Sequence, residues 1–458
     1  MTNPTPKVHP LNGMRFALCA SPRAREKPPG TIEDMEDKAQ RKLVIAPFGA
    51  DTYGDDILLF EHGLLFGLEL ALEAIGGFTF ADVHEQLGGG DKREQVMPAL
   101  SESEVRALAA KAACDTLIDG MLVCARDEET DALAEVAVAL RFFSPSLDEF
   151  AVPDALVFSA FSTADEGSRS ATSLALDFDR YLNLQFQVCI EVFNALETEL
   201  PDSFTVDNLR VTSNWEAYAL FVKGKRATSI AEAKLGYYEQ AVKKDPTFFL
   251  ALYNSAMLYK TQTDYNTARS RLMKAAASTE DPTLLADVYF ELGLTSIYLG
   301  DTKTARNFWE KAIEYGGDNP SLLVNMAGTF EQEENWNEAK RLNQMAVDRF
   351  PYYHKAIVNL ARLHAMFGRL DLAIPLYERA LELQPNDALR HSVLGGCYLA
   401  DGRVEDARAQ FEQAVALDAD GDPGRYAAQE LAKIGAPSTK PSPVEDDETK
   451  KKKRWGLW

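Results

Sequence analysis

Between about residue 210 and residue 435, small and apolar positions repeat a two-helix pattern. Small residues close the second helix of each unit at Ala241, Ala275, Ala312, Ala346, Ala380 and Ala414, at intervals of 34, 37, 34, 34 and 34. Midway along each first helix sits another: Ala256, Gly293, Ala327, Ala361 and Gly395, at 37, 34, 34 and 34. A fixed period near 34 with two helices per unit marks a repeat architecture in which no unit buries its apolar face alone. Stacking then leaves a concave wall built from the first helices, and that wall predicts binding rather than chemistry. Six units are expected, the first (near 214–246) being irregular. Arg425–Ile434 reads as a terminal helix shielding the last apolar face.

Ahead of residue 210 the pattern changes. Lys42-Leu-Val-Ile-Ala-Pro-Phe48 is a short apolar run typical of a buried strand. Leu58, Leu65, Leu68, Leu72 and Ile75 form one face of a helix that Gly76-Gly77 stops. Phe78–Val83 is the next strand candidate, and Ser101-Glu-Ser-Glu104 is a capping box opening a helix through Ala113. Thr116–Cys124, Ala134–Phe143 and Leu156–Phe161 read as strands, the middle one alternating Val136, Val138 and Leu140 with smaller residues. Phe178, Leu182, Phe186, Cys189, Ile190, Phe193 and Leu196 then trace a 3.6-residue stripe along a long helix. The expected class is α+β: a small α/β mixed-sheet N-terminal domain followed by an all-α helical-repeat solenoid. Residues 1–41 read as a disordered arm, 42–200 as the acidic α/β domain, 201–435 as the repeat array, and 436–458 as a disordered tail.

Charge sharpens this division. The net charge is −22, and residues 51–200 alone hold 29 acidic against 8 basic side chains. Such a surface repels phosphate backbones, so no nucleic-acid partner is expected there. The five cysteines, Cys19, Cys114, Cys124, Cys189 and Cys397, are scattered and never spaced CxxC, which suits reduced thiols and a cytoplasmic location. The first residues offer no export signal, and no run of 18 apolar residues occurs to span a bilayer.

Catalytic signals are weak. Leu87-Gly-Gly-Gly-Asp91 lacks the Gly-Lys-Ser/Thr ending that cradles phosphates, Lys223-Gly-Lys225 lacks a glycine loop before it, and there is no GxSxG elbow. The histidines form no HxH or HExxH pair. Asp418-Ala-Asp-Gly-Asp422 starts like a calcium loop, but Pro423 and Gln429 hold its glycine and glutamate positions. No metal, cofactor or enzymatic activity is expected; an enzyme would have to carry its site in the α/β domain.

Two resemblances follow from these residues. Leu394-Gly395, Tyr398, Gly402, Ala407, Phe411 and Ala414 match the packing residues of the tetratricopeptide family, and Ala361, Gly368, Ala373, Tyr377, Ala380 and Pro385 repeat them one unit earlier. The resemblance implies a scaffold or adaptor that takes a protein or peptide partner. Leu43–Phe48, the block Ala107–Gly120 and the junction Asn214–Gly224 resemble the TolB amino-terminal-like domain that precedes tetratricopeptide arrays in bacterial signalling proteins, including relatives of class III adenylate cyclases. This chain departs from those in having no membrane span, no cyclase segment and no helix-turn-helix.

Candidate contact residues line the first helices. Asn254, Asn325 and Asn359 recur two residues before the small position, with Glu291 interrupting; a carboxamide there can pair with an extended peptide backbone. A similar asparagine ladder lines the repeats of O-linked N-acetylglucosamine transferase. Tyr253, Met257, Phe290, Leu294 and Tyr298 would add an apolar, adaptable groove, and Lys355 with Arg362 a basic one suited to carboxylates. The tail ends Lys450, Lys451, Lys452, Lys453, Arg454, Trp455, Gly456, Leu457, Trp458. Three readings stay open for it: a solvated end, peripheral contact with an anionic membrane surface, or docking onto the acidic 51–200 domain. The sequence sets no oligomeric state.

Overall fold

The computed structural model describes residues 41–46, 48–50, 55–75, 78–80, 100–126, 133–152, 156–159, 178–196, 198, 200, 201, 204–227 and 231–435. The arm, the tail, the Leu87–Asp91 glycines and the outer ends of two expected strands, 81–83 and 160–161, lie outside the described residues. Contacts divide the chain into two compact units between Gly317 and Asp318.

In the first unit, strands β1 (Arg41–Ile45), β2 (Gly49–Ala50), β3 (Phe78–Phe80), β4 (Thr116–Arg126), β5 (Leu133–Ser144), β6 (Glu149–Ala151) and β7 (Leu156–Ser159) form one mixed sheet. Its order is β3-β1-β4-β5, with β6 and β7 both pairing β5 and β2 pairing β4. The β1 pairings with β3 and β4 are parallel, and β4 with β5 is antiparallel. Alternation sorts the two faces. Leu43, Ile118, Leu122, Val136, Val138 and Leu140 join the core that holds helices α1 (Asp55–Ile75) and α3 (Phe178–Ala195). Val44, Ala46, Leu117 and Phe143 pack instead with helix α2 (Glu102–Ala112). The capping box is present: Ser101 Oγ accepts from the Glu104 N–H at 3.3 Å, and Glu104 Oε2 accepts from the Ser101 N–H at 2.8 Å. The two- and three-residue strands β2 and β6 are too short to show a periodicity.

The first core does not stop at the sheet. After the short helix α4 (Val206–Leu209), helix α5 (Trp215–Arg226) brings Tyr218 and Phe221 onto Phe66 of α1, with ring centroids 6.2 and 5.5 Å apart. Buried Gln185 of α3 donates to the Tyr218 hydroxyl at 2.8 Å and to the Gly63 carbonyl. Gly63 is required here, since a Cβ would lie 1.7 Å from Tyr181 Oη. One hydrophobic cluster therefore runs from Leu43 to Leu292, through the sheet and into the first hairpins.

Six helical hairpins follow the predicted register. The first unit holds α5 with α6 (Ala231–Lys244), α7 (Phe249–Thr261) with α8 (Tyr265–Ala277), and α9 (Pro282–Tyr298) with α10 (Thr302–Glu314). The second unit holds α11 (Pro320–Gln332) with α12 (Trp336–Arg349), α13 (His354–Met366) with α14 (Leu370–Leu383), α15 (Ala388–Ala400) with α16 (Val404–Leu417), and the cap α17 (Asp422–Gly435). All six closing alanines are fully buried. Sixteen positions after each mid-helix small residue stands a buried side chain: Leu272, Trp309, Asn343, Tyr377 or Phe411. A Cβ on Gly293 would come within 2.2 Å of Trp309 Nε1, and one on Gly395 within 2.7 Å of Phe411. Glycine is thus demanded where the partner ring presses hardest. The irregular first hairpin obeys the same rule through Gly224, whose Cβ would sit 2.6 Å from Tyr238.

Candidate partner-binding surfaces

Each first helix carries three positions fixed by its buried small residue: three before it, two before it and one after it. Helical geometry puts them on neighbouring parts of one face, beside the buried seam. What differs between the units is the chemistry placed there.

In the first unit much of this face is already engaged. Tyr253 is only 4% exposed and stacks on Phe249 with centroids 6.0 Å apart. Asn254 is 6% exposed and donates through Nδ2 to the Leu250 carbonyl of its own helix at 2.8 Å. Both depart from the expected groove lining. Asn254 spends its amide in the helix and drops out of the ladder. Glu291, which interrupts that ladder, forms an ion pair with Lys260 across α7 and α9. Met257, Phe290 and Leu294 are half-buried, and the Phe290 carbonyl accepts from Trp309 Nε1 at 3.1 Å. Tyr298 is exposed and lies flat against Tyr265, with rings 4.7 Å apart and 7° from parallel.

In the second unit the same register is open. Asn325 and Asn359 are half-buried, and among the described residues neither carboxamide is hydrogen-bonded. The position one past the small residue holds Gly328, Arg362 and Gly396. A Cβ on Gly328 would meet nothing within 4 Å, and one on Gly396 only Tyr426 Oη at 3.8 Å. Lys355 is exposed. Arg362 is not the free cation the sequence predicts: its Nη2 donates to Glu331 of α11, and both side chains are about four-fifths buried. An arginine and a glutamate 31 residues apart carry no local signal, so only the stacking of α11 beside α13 reveals the pair.

Two further groups belong to the second unit. Tyr377 of α14 is fully buried, and among the described residues its hydroxyl has no hydrogen-bond partner. Burial, then the neighbouring Cys397, pushes that phenol well above its ordinary value, while Arg390 and Arg362 act in the opposite direction. The Arg390 Nε is also buried and, among the described residues, without a hydrogen bond, Asp387 Oδ2 lying 3.7 Å away. The basic tryptophan tail lies outside the described residues. Among the described residues no cluster of His, Cys, Asp and Glu is arranged to hold a metal ion, and no helix is long and apolar enough to cross a membrane.

Comparison with known proteins agrees with this register. Residues 237–270, 286–316, 329–388 and 364–431 match models of the tetratricopeptide repeat. These segments are tetratricopeptide repeats, a protein-binding module. Among solved structures, YrrB, a TPR protein with an unusual peptide-binding site, aligns at 20% identity over 42% of this chain and 97% of its own, with a TM-score of 0.35. MamA (41-end) from Desulfovibrio magneticus RS-1 aligns at 16% identity over 38% of this chain and 97% of its own, with a TM-score of 0.33. The APC/C hetero-tetramer Cut9-Hcn1 aligns at 16% over 56% and 53%, with a TM-score of 0.37.

Proposed function

We propose that this protein is a non-catalytic scaffold or adaptor whose first helices capture an extended segment of a partner protein. One observation carries the reading: Asn325 and Asn359, one repeat apart, present unbonded carboxamides beside a glycine-hollowed surface. A carboxamide offers one acceptor and two donors, the complement of a peptide unit, and does so whatever the partner's side chains. Residues 201–435 act as the binding array. Residues 42–200 act as a TolB amino-terminal-like domain, a reading supported by the order of its strands and helices. The setting is bacterial signalling or complex assembly in the cytoplasm, and the first unit's Met257, Phe290, Leu294 and Tyr298 supply apolar contact.

The test is an affinity pull-down with the intact chain and an Asn325→Ala, Asn359→Ala variant. Prey should be lost or strongly reduced on the variant. Equal retention by both would remove the asparagines from the reading.

A further inference from the structure

Apolar side chains left exposed at neighbouring helix ends mark a surface that gains by being covered. The second unit holds three: Leu383 closes α14, Leu389 stands in the first turn of α15, and Leu417 closes α16. An open cleft of about 610 Å³ lies where these ends meet the cap. Leu389 forms part of its wall together with Pro385, Asp387, Asp418 and Pro423. Gln384 and Asp418, the residues directly after Leu383 and Leu417, line it as well.

The chemistry of the cleft limits what can fill it. Among the described residues that line it, two are carboxylates and none is cationic. Asp387 Oδ1 caps α15 by accepting from the Arg390 N–H at 3.0 Å, and Asp418 Oδ1 accepts from the Gly421 N–H at 2.9 Å. Asp420 and Asp422 follow, both exposed. Arg390, 3.7 Å from Asp387 Oδ2, and Arg425, paired with Asp422, offset only part of this charge. A fitting occupant brings cations and a flat apolar surface together.

The chain carries such a segment: Lys450–Arg454 runs straight into Trp455-Gly-Leu-Trp458. Residue 436 directly follows α17, and Pro423 in the first turn of α17 is a wall of the cleft. α17 has 14 residues and is about 21 Å long, whereas residues 436–449 can span up to about 46 Å. The basic stretch therefore reaches back to the cleft with length to spare. We propose that this cleft is the docking site of the chain's own tail, its cations facing Asp387 and Asp418 and its indoles lying on Leu389 and Pro423. Docked, the tail is withheld from other anionic surfaces, so the cleft restrains it. The contact uses neither Asn325 nor Asn359 and stands apart from the peptide-binding reading above.

The test is limited trypsin digestion of the full-length chain at low salt, with cleavage after Lys450–Arg454 read by intact mass. A link of this length holds the tail at an effective concentration on the order of millimolar, so a Kd of about 0.1 mM keeps roughly nine tails in ten docked and slows cleavage about tenfold. Asp387→Asn with Asp418→Asn keeps both Oδ1 acceptors and should abolish that protection. Trp455→Ala with Trp458→Ala should reduce it, whereas Glu405→Gln, at the other end of α16, should leave it intact. A carbodiimide should join Lys450–Lys453 to Asp387 or Asp418 within one chain, and dilution should not change the protection. Equal cleavage of the wild type and the Asp387→Asn, Asp418→Asn variant would overturn the docking site. So would cross-links running to residues 51–200 instead, or protection lost on dilution, which puts the tail on a second copy. Protection that arises only when phosphatidylserine vesicles are added would assign the tail to membranes and overturn it too.

Discussion

The first helices of the two units share a register yet present opposite surfaces. One residue past the buried small position, the first unit carries Met257 and Leu294, whereas the second carries Gly328, Arg362 and Gly396. Two residues before it, Asn254 and Glu291 are engaged within the protein, whereas Asn325 and Asn359 are not. Packing fixes the period: the seam positions are buried, and at Gly293 and Gly395 even a Cβ would press on Trp309 and Phe411. It does not fix the face beside the seam, and there the two halves diverge.

The strongest way to break this comparison is to treat two glycines alike. Gly293 and Gly328 both sit inside first helices, one under Trp309 and the other facing open space. Gly293→Leu should overpack the third hairpin and cost about 1–3 kcal/mol. Gly328→Ala should instead stabilise by about 0.5–1 kcal/mol, because alanine restricts the unfolded chain and nothing resists it. Urea denaturation of the two variants checks the opposite signs. Loss of stability in both would mean that the space at Gly328 is not open.

A second contrast lies in the seam itself. Asn343 holds the place taken elsewhere by Leu, Trp, Tyr or Phe; it is fully buried, and among the described residues its Oδ1 has no partner. Its Nδ2 donates to the Ala339 carbonyl of its own helix at 2.9 Å. Asn343→Leu removes an unsatisfied acceptor and restores the apolar wedge, so it should stabilise the protein by about 1–2 kcal/mol. Leu272→Asn, the reverse change in the first unit, should cost at least as much. Thermal unfolding of both variants would show whether the fourth hairpin is the weak member.

Periodicity makes the hairpins legible in the sequence. Six closing alanines and five mid-helix small residues predict eleven seam positions, and every one is buried. The first hairpin hid its partner because Gly224 precedes Ala241 by 17 residues where the others keep 19. The shorter separation broke the period while the close packing survived. The sheet's longer strands announced themselves by alternation, and β2 and β6 did not. Composition and period change near residue 200, yet Phe66, Gln185 and Tyr218 join sheet, helices and first hairpins in one core, a contact between distant segments that no local pattern announces. At the candidate surface, asparagine spacing was visible, but which amide was spent was not. That depends on burial, as it does for Arg362, whose partner arrives from the preceding repeat.

Asparagine substitutions test the surface contrast directly. Asn325→Ala and Asn359→Ala should each weaken a selected peptide by about 0.5–1.5 kcal/mol, roughly two- to tenfold. Asn254→Ala should leave that affinity unchanged and lower stability slightly, since it removes only an internal bond. Equal effects at all three positions would restore the uniform ladder that the burial of Asn254 argues against.

The smallest effect concerns acid. Asp245 closes the first hairpin: its Oδ2 accepts from the Thr212 hydroxyl at 2.6 Å, and its Oδ1 accepts from the Thr247 N–H at 2.9 Å. Burial alone would raise this carboxyl, but the bonds from Thr212 and Thr247 outweigh it and hold Asp245 below its ordinary value of 3.8. A depressed folded value means the carboxylate contributes stability above the unfolded value, and the contribution is lost as pH falls through the folded one. Wild-type stability should therefore decline below pH 3.8 more steeply than that of Asp245→Asn, whose amide cannot titrate. Solvent reaches part of this site, so the difference in urea midpoint should be modest. Parallel pH profiles for the two proteins would show that the Thr212–Asp245 contact does not anchor the start of α5 to the end of α6.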